Sequence, residues 1–308
     1  MEIQYEFGTR DYLSHSSVCS ACGRVHSYNT CVLDGNPPLS EHKPITLIPF
    51  TSGNLCQGHV WTITNEDLLA DIVAKLLMGK QLHVEKILTG LTARPLSYRD
   101  NAINDAIQKL TLDDPNYPYH RDGLIFQMFS WIAACSVKGD NSILRAPHLV
   151  EAQKGFDGLQ INVDGGHVRD VVIFEDKATE NPRAFIRDNV WPEFREFNEG
   201  QRESELQQEV TTMLSMRPDA FNDIEEAIET IFWEQSRKFR VAITANENHL
   251  DERGKASLFK DYDEVIPNRT VDYRNAECVY IPKLRLWMQK FSEQVINKLI
   301  TYRDNKNV

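Results

Sequence analysis

The sequence predicts a mixed α/β fold of the α+β type, in which a mixed β-sheet core is flanked by helices. Three segments lead to this prediction: a hairpin pattern within residues 155–179, a strongly apolar helical stretch at 120–137, and an apolar strand, FRVAITA, at 239–245. Amphipathic helical patterns lie between and after them. Strands that alternate with helices along the chain favour a sheet whose faces are covered by helices.

The hairpin has the most distinctive local pattern in the chain. Its strands are predicted at residues 159–163 and 168–177, and the second is rich in Val, Ile and Phe. Between them, Asp164-Gly165-Gly166 supplies residues that adopt the positive φ angles of a tight turn. The sequence therefore predicts two antiparallel neighbouring strands at this point.

Three charged residues are expected to converge at the open end of this hairpin. Glu175 and Lys177 share one strand face because side chains alternate along a strand. Asp157 stands at the head of the first strand, which lies beside the end of its antiparallel partner. Two carboxylates can fix a hard divalent ion such as Mg²⁺ or Mn²⁺, and a lysine can orient water or stabilise developing charge. The alternative is an ordinary surface hairpin whose charges are solvated.

Composition sets limits on function. The chain has 308 residues, enough for one large core or two domains, and its net charge is −11. A protein that only coats nucleic acid is usually basic, so strong non-specific DNA binding by this chain alone is not expected. A nuclease with a local basic groove, or one whose partner holds the DNA, remains compatible with this charge. The sequence has no apolar run of membrane-spanning length and no secretory signal pattern, so a cytoplasmic protein is expected.

The N-terminal region contains a candidate structural zinc site. Cys19, Cys22, His26 and Cys31 form a C-x2-C-x3-H-x4-C pattern, which can complete a tetrahedral Cys3His site. Cys56 can replace His26 or Cys31, and the alternative is a set of free thiols in a loop. A division is predicted near residue 63, with an N-terminal region at 1–63 and a second domain at 64–308.

Helices and strands around the hairpin are predicted from capping residues and apolar spacing. Strand-like runs lie at 45–50 and 60–63, and helical patterns open at 64–67 and cover 100–112 and 120–137. Gln127 is a polar residue within the apolar 120–137 stretch. It is interpreted either as a satisfied core amide or as a residue that reaches the site. Glu151 lies in the short segment before the hairpin.

A helix is predicted to start at Asn181-Pro182, as N-cap and first helical residue. It would place Arg183 and Arg187 on one face directly after Lys177, as a phosphate clamp or as a solvated surface. Amphipathic helices follow at 201–216 and 224–238, then a strand at 278–282 and a closing helix at 283–302.

Asp157 and the run Glu175-Asp176-Lys177 resemble the core motif of the PD-(D/E)xK nuclease superfamily over residues 120–245. The resemblance implies a restriction-endonuclease-like core in which the acidic pair binds magnesium and the lysine assists the attacking water. It also implies a metal contact from the main-chain carbonyl of Asp176 and an accessory side chain from the preceding helix, with Gln127 and Glu151 as candidates. The proline usual before the first Asp is absent.

The pattern GFDG…EDKA is similar to nuclease subunits of bacterial anti-phage defence systems of the Hachiman type. This resemblance implies a Mg²⁺-dependent DNA endonuclease that works beside a helicase or ATPase partner. The alternative is a non-catalytic interaction or scaffold subunit of such a complex. A third interpretation is a zinc-finger nucleic-acid binder, but few aromatic residues alternate with basic ones near the cysteines.

Overall fold

A computed structural model describes residues 43–305, except 92, 95, 113, 115, 140, 150–154, 218–220 and 233–235. The predicted zinc ligands Cys19, Cys22, His26 and Cys31 lie outside the described residues, as does Glu151. Cys56 is described, and its side chain is buried in the first core below.

Seven strands of the described chain form one mixed sheet in the order β1-β2-β7-β6-β5-β4-β3. The central strands β2, β7, β6 and β5 run parallel, while β1, β4 and β3 pair antiparallel with their neighbours. The strands are β1 (Ile45–Ser52), β2 (Cys56–Ile63), β3 (Ser142–Leu144), β4 (Gly158–Asp164), β5 (His167–Lys177), β6 (Arg237–Ala245) and β7 (Arg274–Tyr280). The strands within residues 45–63, which the sequence assigned to the N-terminal region, belong to the same sheet as the hairpin of β4 and β5.

Helices cover both faces of the sheet. They are α1 (Glu66–Leu77), α2 (Gln81–Leu88), α3 (Asp100–Leu110), α4 (Tyr119–Val137), α5 (Pro182–Phe185), α6 (Trp191–Asn198), α7 (Glu203–Ser215), α8 (Ile224–Phe232), α9 (Glu252–Leu258), α10 (Tyr262–Val265) and α11 (Leu284–Asp304). Between α5 and α6, residues Ile186–Val190 form a π-helical turn. The mixed sheet flanked by helices that the sequence predicted is confirmed.

Two hydrophobic cores lie on opposite faces of the sheet. The first contains Phe239, Val241 and Ile243 of β6 together with apolar residues of α6, α7, α9 and α10. The second contains Ala242, the intervening β6 residue, with apolar residues of α1, α3, α4 and α11. Because successive strand residues point to opposite faces, this partition makes the protein a three-layer arrangement of helices, sheet and helices.

The predicted hairpin is present as β4 and β5. Gly165 and Gly166 have φ angles of +58° and +83°, the left-handed conformation that glycine adopts without steric cost. At the other end, a Cβ on Gly158 would lie 2.6 Å from the Phe174 ring, so close cross-strand packing requires glycine there.

The prediction of a helix over residues 224–238 is wrong at its C-terminal end. The helix is described as far as Phe232, and Arg237 already begins β6, where it pairs in register with Val171 of β5. Sheet pairing with a strand distant in sequence decides the conformation of these residues, which the amphipathic pattern alone does not encode. No helix among the described residues is long and apolar enough to cross a membrane.

Candidate functional site

A cavity of about 900 Å³ opens at the C-terminal end of β5, between helices of the two layers. Its floor is formed by Asp157 and by residues 175–179 of β5 and the following loop. One wall comes from the first half of α4 and from Arg285 of α11, and the other includes Glu193 of α6 and Glu205 of α7. The open end of the hairpin therefore lies at the bottom of a cleft rather than on a flat surface.

The structure brings Asp157, Glu175 and Lys177 together on this floor. Lys177 Nζ lies 2.5 Å from Asp157 Oδ2 and 2.9 Å from Glu175 Oε2. Val171 and Ile173 precede Glu175 on the same strand face and are fully buried in the first core. The strand is thus anchored by its apolar residues, and the same alternation places the next two side chains at the cavity floor.

Asp157 is held from two sides. Its Oδ2 accepts a hydrogen bond from the Asp176 backbone N–H at 2.8 Å, and its Oδ1 accepts one from Gln127 Nε2 at 2.7 Å. Gln127 lies on α4 and lines the cavity. The Gln127 amide therefore contacts Asp157 at the cavity, and its accessory role at a metal site stays a prediction.

The peptide before Asp157 is also fixed. Arg145 donates to the carbonyl oxygen of Phe156, and His148 Nε2 lies 2.9 Å from the same atom. The Phe156 ring is fully buried and packs against Phe197 with ring centroids 4.8 Å apart. These contacts immobilise the turn into β4, so the Asp157 carboxylate has a defined position.

Glu175 has an unusual environment for a carboxylate. Its side chain is only 2% exposed, and among the described residues its Oε1 has no hydrogen-bond partner. Burial raises the pKa of Glu175 well above its ordinary value, the ammonium of Lys177 opposes this shift, and Asp157 adds to it. A buried carboxylate oxygen without a partner is costly unless a cation or proton meets it.

The pKa of Lys177 is also raised, but for a different reason. Burial alone lowers the pKa of Lys177, but the two adjacent carboxylates raise it by more, so its pKa lies above the ordinary value. Lys177 therefore remains an ammonium at neutral pH.

The donor set fits a hard divalent cation. Asp157 and Glu175 already converge on one positive charge, the Lys177 ammonium, and the unpartnered Glu175 Oε1 adds an oxygen with free lone pairs. Oxygen donors of this kind are what Mg²⁺ and Mn²⁺ require. No group of three or more His, Cys, Asp or Glu side chains in the described chain forms a metal site by itself, so the acidic pair would share its ion with main-chain oxygen or water.

The opposite face of β5 carries a second polar group that sequence reasoning missed. Asp176 is buried beneath α4, where its Oδ1 accepts a hydrogen bond from Ser130 at 2.7 Å and lies 3.6 Å from Arg240 Nη1. Burial raises the pKa of Asp176 to about 7, and Arg240 opposes this shift. Arg240 also lies 3.9 Å from Glu277, which accepts a hydrogen bond from Trp61 at 2.6 Å. The sequence signal for this buried polar group was Arg240, a charged residue within the apolar segment FRVAITA.

The wall formed by α4 and α11 presents Arg285. Its Nη1 donates to the buried Asp122 at 2.5 Å, and its guanidinium lies 4.8 Å from the centre of the Tyr119 ring. Arg121 shares the same carboxylate at 2.7 Å, so two guanidinium groups are bound to Asp122. The exposed Glu180 lies 3.9 Å from Arg285 Nε.

The opposite wall presents Arg202 in a different electrostatic setting. Its guanidinium makes a bidentate pair with Glu205 at 2.8 and 2.9 Å and a further bond to Glu193 at 2.8 Å. It also lies 4.6 Å from the centre of the Phe197 ring. Two carboxylates thus accompany one guanidinium on this wall.

Arg183 and Arg187, the predicted phosphate clamp, lie elsewhere. Pro182 begins a four-residue helix with Asn181 as N-cap, as predicted, but a π-helical turn follows it. Arg183 is bound to Asp261 at 2.6 Å, Arg187 is paired with its neighbour Asp188, and neither lines the cavity. Their phosphate-binding role stays a prediction.

No family model, no curated protein and no solved structure matches this chain. Function is therefore inferred from the residues of the cavity and their geometry.

Proposed function

We propose that this protein is a Mg²⁺- or Mn²⁺-dependent nuclease of the PD-(D/E)xK type that hydrolyses phosphodiester bonds of DNA. The observation that carries the proposal is the convergence of Asp157 and Glu175 on the Lys177 ammonium at the floor of an open cavity. An unpartnered, buried oxygen of Glu175 in that cavity supports it further.

Each residue has a defined role in this proposal. Asp157 and Glu175 hold the metal ion, together with the main-chain carbonyl of Asp176. When bound, the metal supplies a lowered pKa for water and offsets negative charge on the phosphate. Lys177, held close to both carboxylates, orients the attacking water and stabilises the charge that develops on the phosphate oxygens. Gln127 keeps the Asp157 carboxylate in position through its 2.7 Å hydrogen bond.

The order of elements around the site supports the same proposal. The antiparallel pair β4 and β5 follows α4, and β6 joins β5 in parallel after the intervening helices. The resemblance to PD-(D/E)xK nucleases implies this arrangement of a helix, a hairpin and a third strand around the acidic pair. Since the chain is acidic, with a net charge of −11, strong capture of DNA is expected to need a partner.

A helicase or ATPase partner, a role in anti-phage defence, a cytoplasmic location and a structural Zn²⁺ at residues 19–31 remain parts of this proposal that rest on sequence. The acidic helix α8, whose first turn carries Glu225 and Glu226, is the proposed surface for a basic partner.

Cleavage and metal binding are tested together with one matched pair of variants. Glu175→Gln removes a proposed metal ligand, whereas Glu193→Gln changes another carboxylate that lines the same cavity and is paired with Arg202. Labelled single-stranded and duplex DNA are incubated with each protein in Mg²⁺, in Mn²⁺ and in EDTA. We expect metal-dependent cleavage by the wild type and by Glu193→Gln, and its loss in Glu175→Gln.

Metal binding has an independent readout in thermal unfolding. A ligand at 100 times its Kd stabilises a protein by about 2.7 kcal/mol, so Mn²⁺ is expected to raise the Tm of the wild type and not that of Glu175→Gln. Cleavage that persists in Glu175→Gln would refute the assigned site. No metal-dependent stabilisation and no cleavage, with or without a partner, would favour the non-catalytic scaffold.

A further inference from the structure

The two walls of the cavity differ in charge and in chemistry. On the α6/α7 wall, Glu193 and Glu205 both contact Arg202, so two described carboxylates accompany one guanidinium. On the α4/α11 wall, Arg285 shares the buried Asp122 with Arg121, and its other acidic neighbour, Glu180, is exposed and 3.9 Å away. An ion pair at that separation on the surface contributes little. A polyanion therefore meets less repulsion along the α4/α11 wall.

This wall also offers an aromatic surface beside its cation. Tyr119 is 60% exposed at the start of α4, and the Arg285 guanidinium lies 4.8 Å from its ring centre. The buried Asp122, 2.5 Å from Arg285 Nη1, fixes the direction of the guanidinium. An exposed ring beside an oriented arginine is the combination with which proteins stack a base and bind the adjoining phosphate.

The reaction centre lies deep relative to this aromatic residue. Asp157 and Glu175 lie at the floor, and the Glu175 side chain is 2% exposed, whereas Tyr119 and His120 are exposed at the wall. The cavity has a volume of about 900 Å³, within the range of pockets that bind small molecules. A phosphate reaches the floor more readily on a strand whose bases are unpaired.

We propose that the cavity binds single-stranded DNA along the α4/α11 wall, with a base stacked on Tyr119 and a phosphate bound by Arg285. This inference rests on the proposed nuclease function and names its substrate as unpaired DNA. The strand passes from Tyr119 at the mouth to the acidic pair at the floor.

The test measures binding separately from cleavage. Fluorescence anisotropy is recorded with labelled 20-nucleotide oligo(dT), with a blunt duplex of the same length and with oligo(U), using Ca²⁺ in place of Mg²⁺. The variants are Tyr119→Ala, Tyr119→Phe, Arg285→Gln and, as a control away from the cavity, Arg303→Ala, whose guanidinium is exposed near the C-terminal end of α11 and paired with Asp304.

We expect oligo(dT) to bind more tightly than the duplex. Tyr119→Ala should weaken oligo(dT) binding about 5- to 100-fold, the loss typical of one base–aromatic stack, while Tyr119→Phe retains it. Arg285→Gln should also lower the slope of log K against log salt by about 0.7, as expected for one lost phosphate contact on a single strand, whereas Tyr119→Ala leaves that slope unchanged. Arg303→Ala should match the wild type.

Several results would overturn the inference. These are duplex binding as tight as that of oligo(dT), an unchanged affinity in Tyr119→Ala, tighter binding of oligo(U) than of oligo(dT), or a larger loss in Arg303→Ala than in Arg285→Gln. Duplex cleavage that depends on Glu175 but not on Tyr119 would leave the nuclease proposal intact and reject only this substrate. Stacking-dependent binding of oligo(dT) without any cleavage would support the binding site and count against the nuclease.

Discussion

The two faces of β5 carry similar residues in opposite settings. On one face, Glu175 and Lys177 meet Asp157 in a cavity, and a Glu175 oxygen has no partner among the described residues. On the other, Asp176 lies beneath α4 with Ser130 and Arg240 as partners. Each face of β5 therefore has a buried carboxylate beside a cation, which is Lys177 of β5 itself on one face and Arg240 of β6 on the other.

The two carboxylates differ in whether their oxygens have partners. The Asp176 group has a hydroxyl and a guanidinium, and the helix above it excludes solvent, so we expect it to support the fold. In the Glu175 group, Lys177 contacts Oε2 but Oε1 has no partner among the described residues, and the group lines the cavity, so we expect it to bind a further cation. Buried polar groups that are fully partnered rigidify a core, whereas unsatisfied ones mark functional positions.

The largest expected effect comes from a substitution on the cavity face of β5. Lys177→Met removes the ammonium within 2.9 Å of both carboxylates, so the cleavage rate should fall about 10²- to 10⁴-fold, the range for loss of a group that transfers protons or stabilises charge. The initial rate on labelled DNA in Mg²⁺ measures this. A rate within tenfold of the wild type would show that Lys177 has no direct part in the reaction.

The matched change on the opposite face is Arg240→Met. It leaves Asp176 and Glu277 buried without their shared guanidinium, and removing one partner of a buried ion pair costs about 3–5 kcal/mol. Denaturant unfolding should show this loss in the free energy of unfolding. If Arg240→Met were as stable as the wild type, the polar group beneath α4 would not support the fold.

A third effect is a pH dependence that comes from the same face. Burial raises the pKa of Asp176 from 3.8 to about 7, so the folded state holds this proton at pH values where the unfolded chain has lost it. The stability of the protein in EDTA should therefore fall as pH rises from about 4 to about 7.

The comparison that isolates this effect is Asp176→Asn, because Glu175, whose pKa is also raised, adds a change of the same sign. Denaturant unfolding at several pH values should show a shallower decline in Asp176→Asn than in the wild type. Parallel curves for the two proteins would mean that Asp176 is ionised in the folded state across this range.

The smallest expected effect concerns the link between α4 and the cavity floor. Gln127→Leu removes one hydrogen bond to Asp157, while the Asp176 backbone N–H continues to hold that carboxylate. A hydrogen bond to a charged group contributes about 1.5–3 kcal/mol, so we expect about a tenfold rise in the Mg²⁺ concentration that gives half-maximal cleavage. An unchanged metal requirement would make Gln127 a core amide without influence on the site.

Local signals in the sequence determined the hairpin and the meeting of its charged residues. The Asp-Gly-Gly turn, the apolar run of β5 and the period of two were enough to predict that Asp157, Glu175 and Lys177 converge, and the helix at 119–137 was predicted to within one residue. These features depend on neighbours within a few residues or across one tight turn, where backbone geometry leaves few alternatives.

Only the tertiary structure decided which distant residues surround that hairpin. Gln127 as the partner of Asp157, Arg240 beneath α4 and Arg285 on the cavity wall come from segments whose meeting depends on helix and sheet packing. The same packing turned residues 237–238 from a predicted helix into β6 and directed Arg183 to Asp261 instead of the cavity. Contacts across many intervening residues arise from burying apolar faces together, so a local pattern shows that a face exists but not what it will meet.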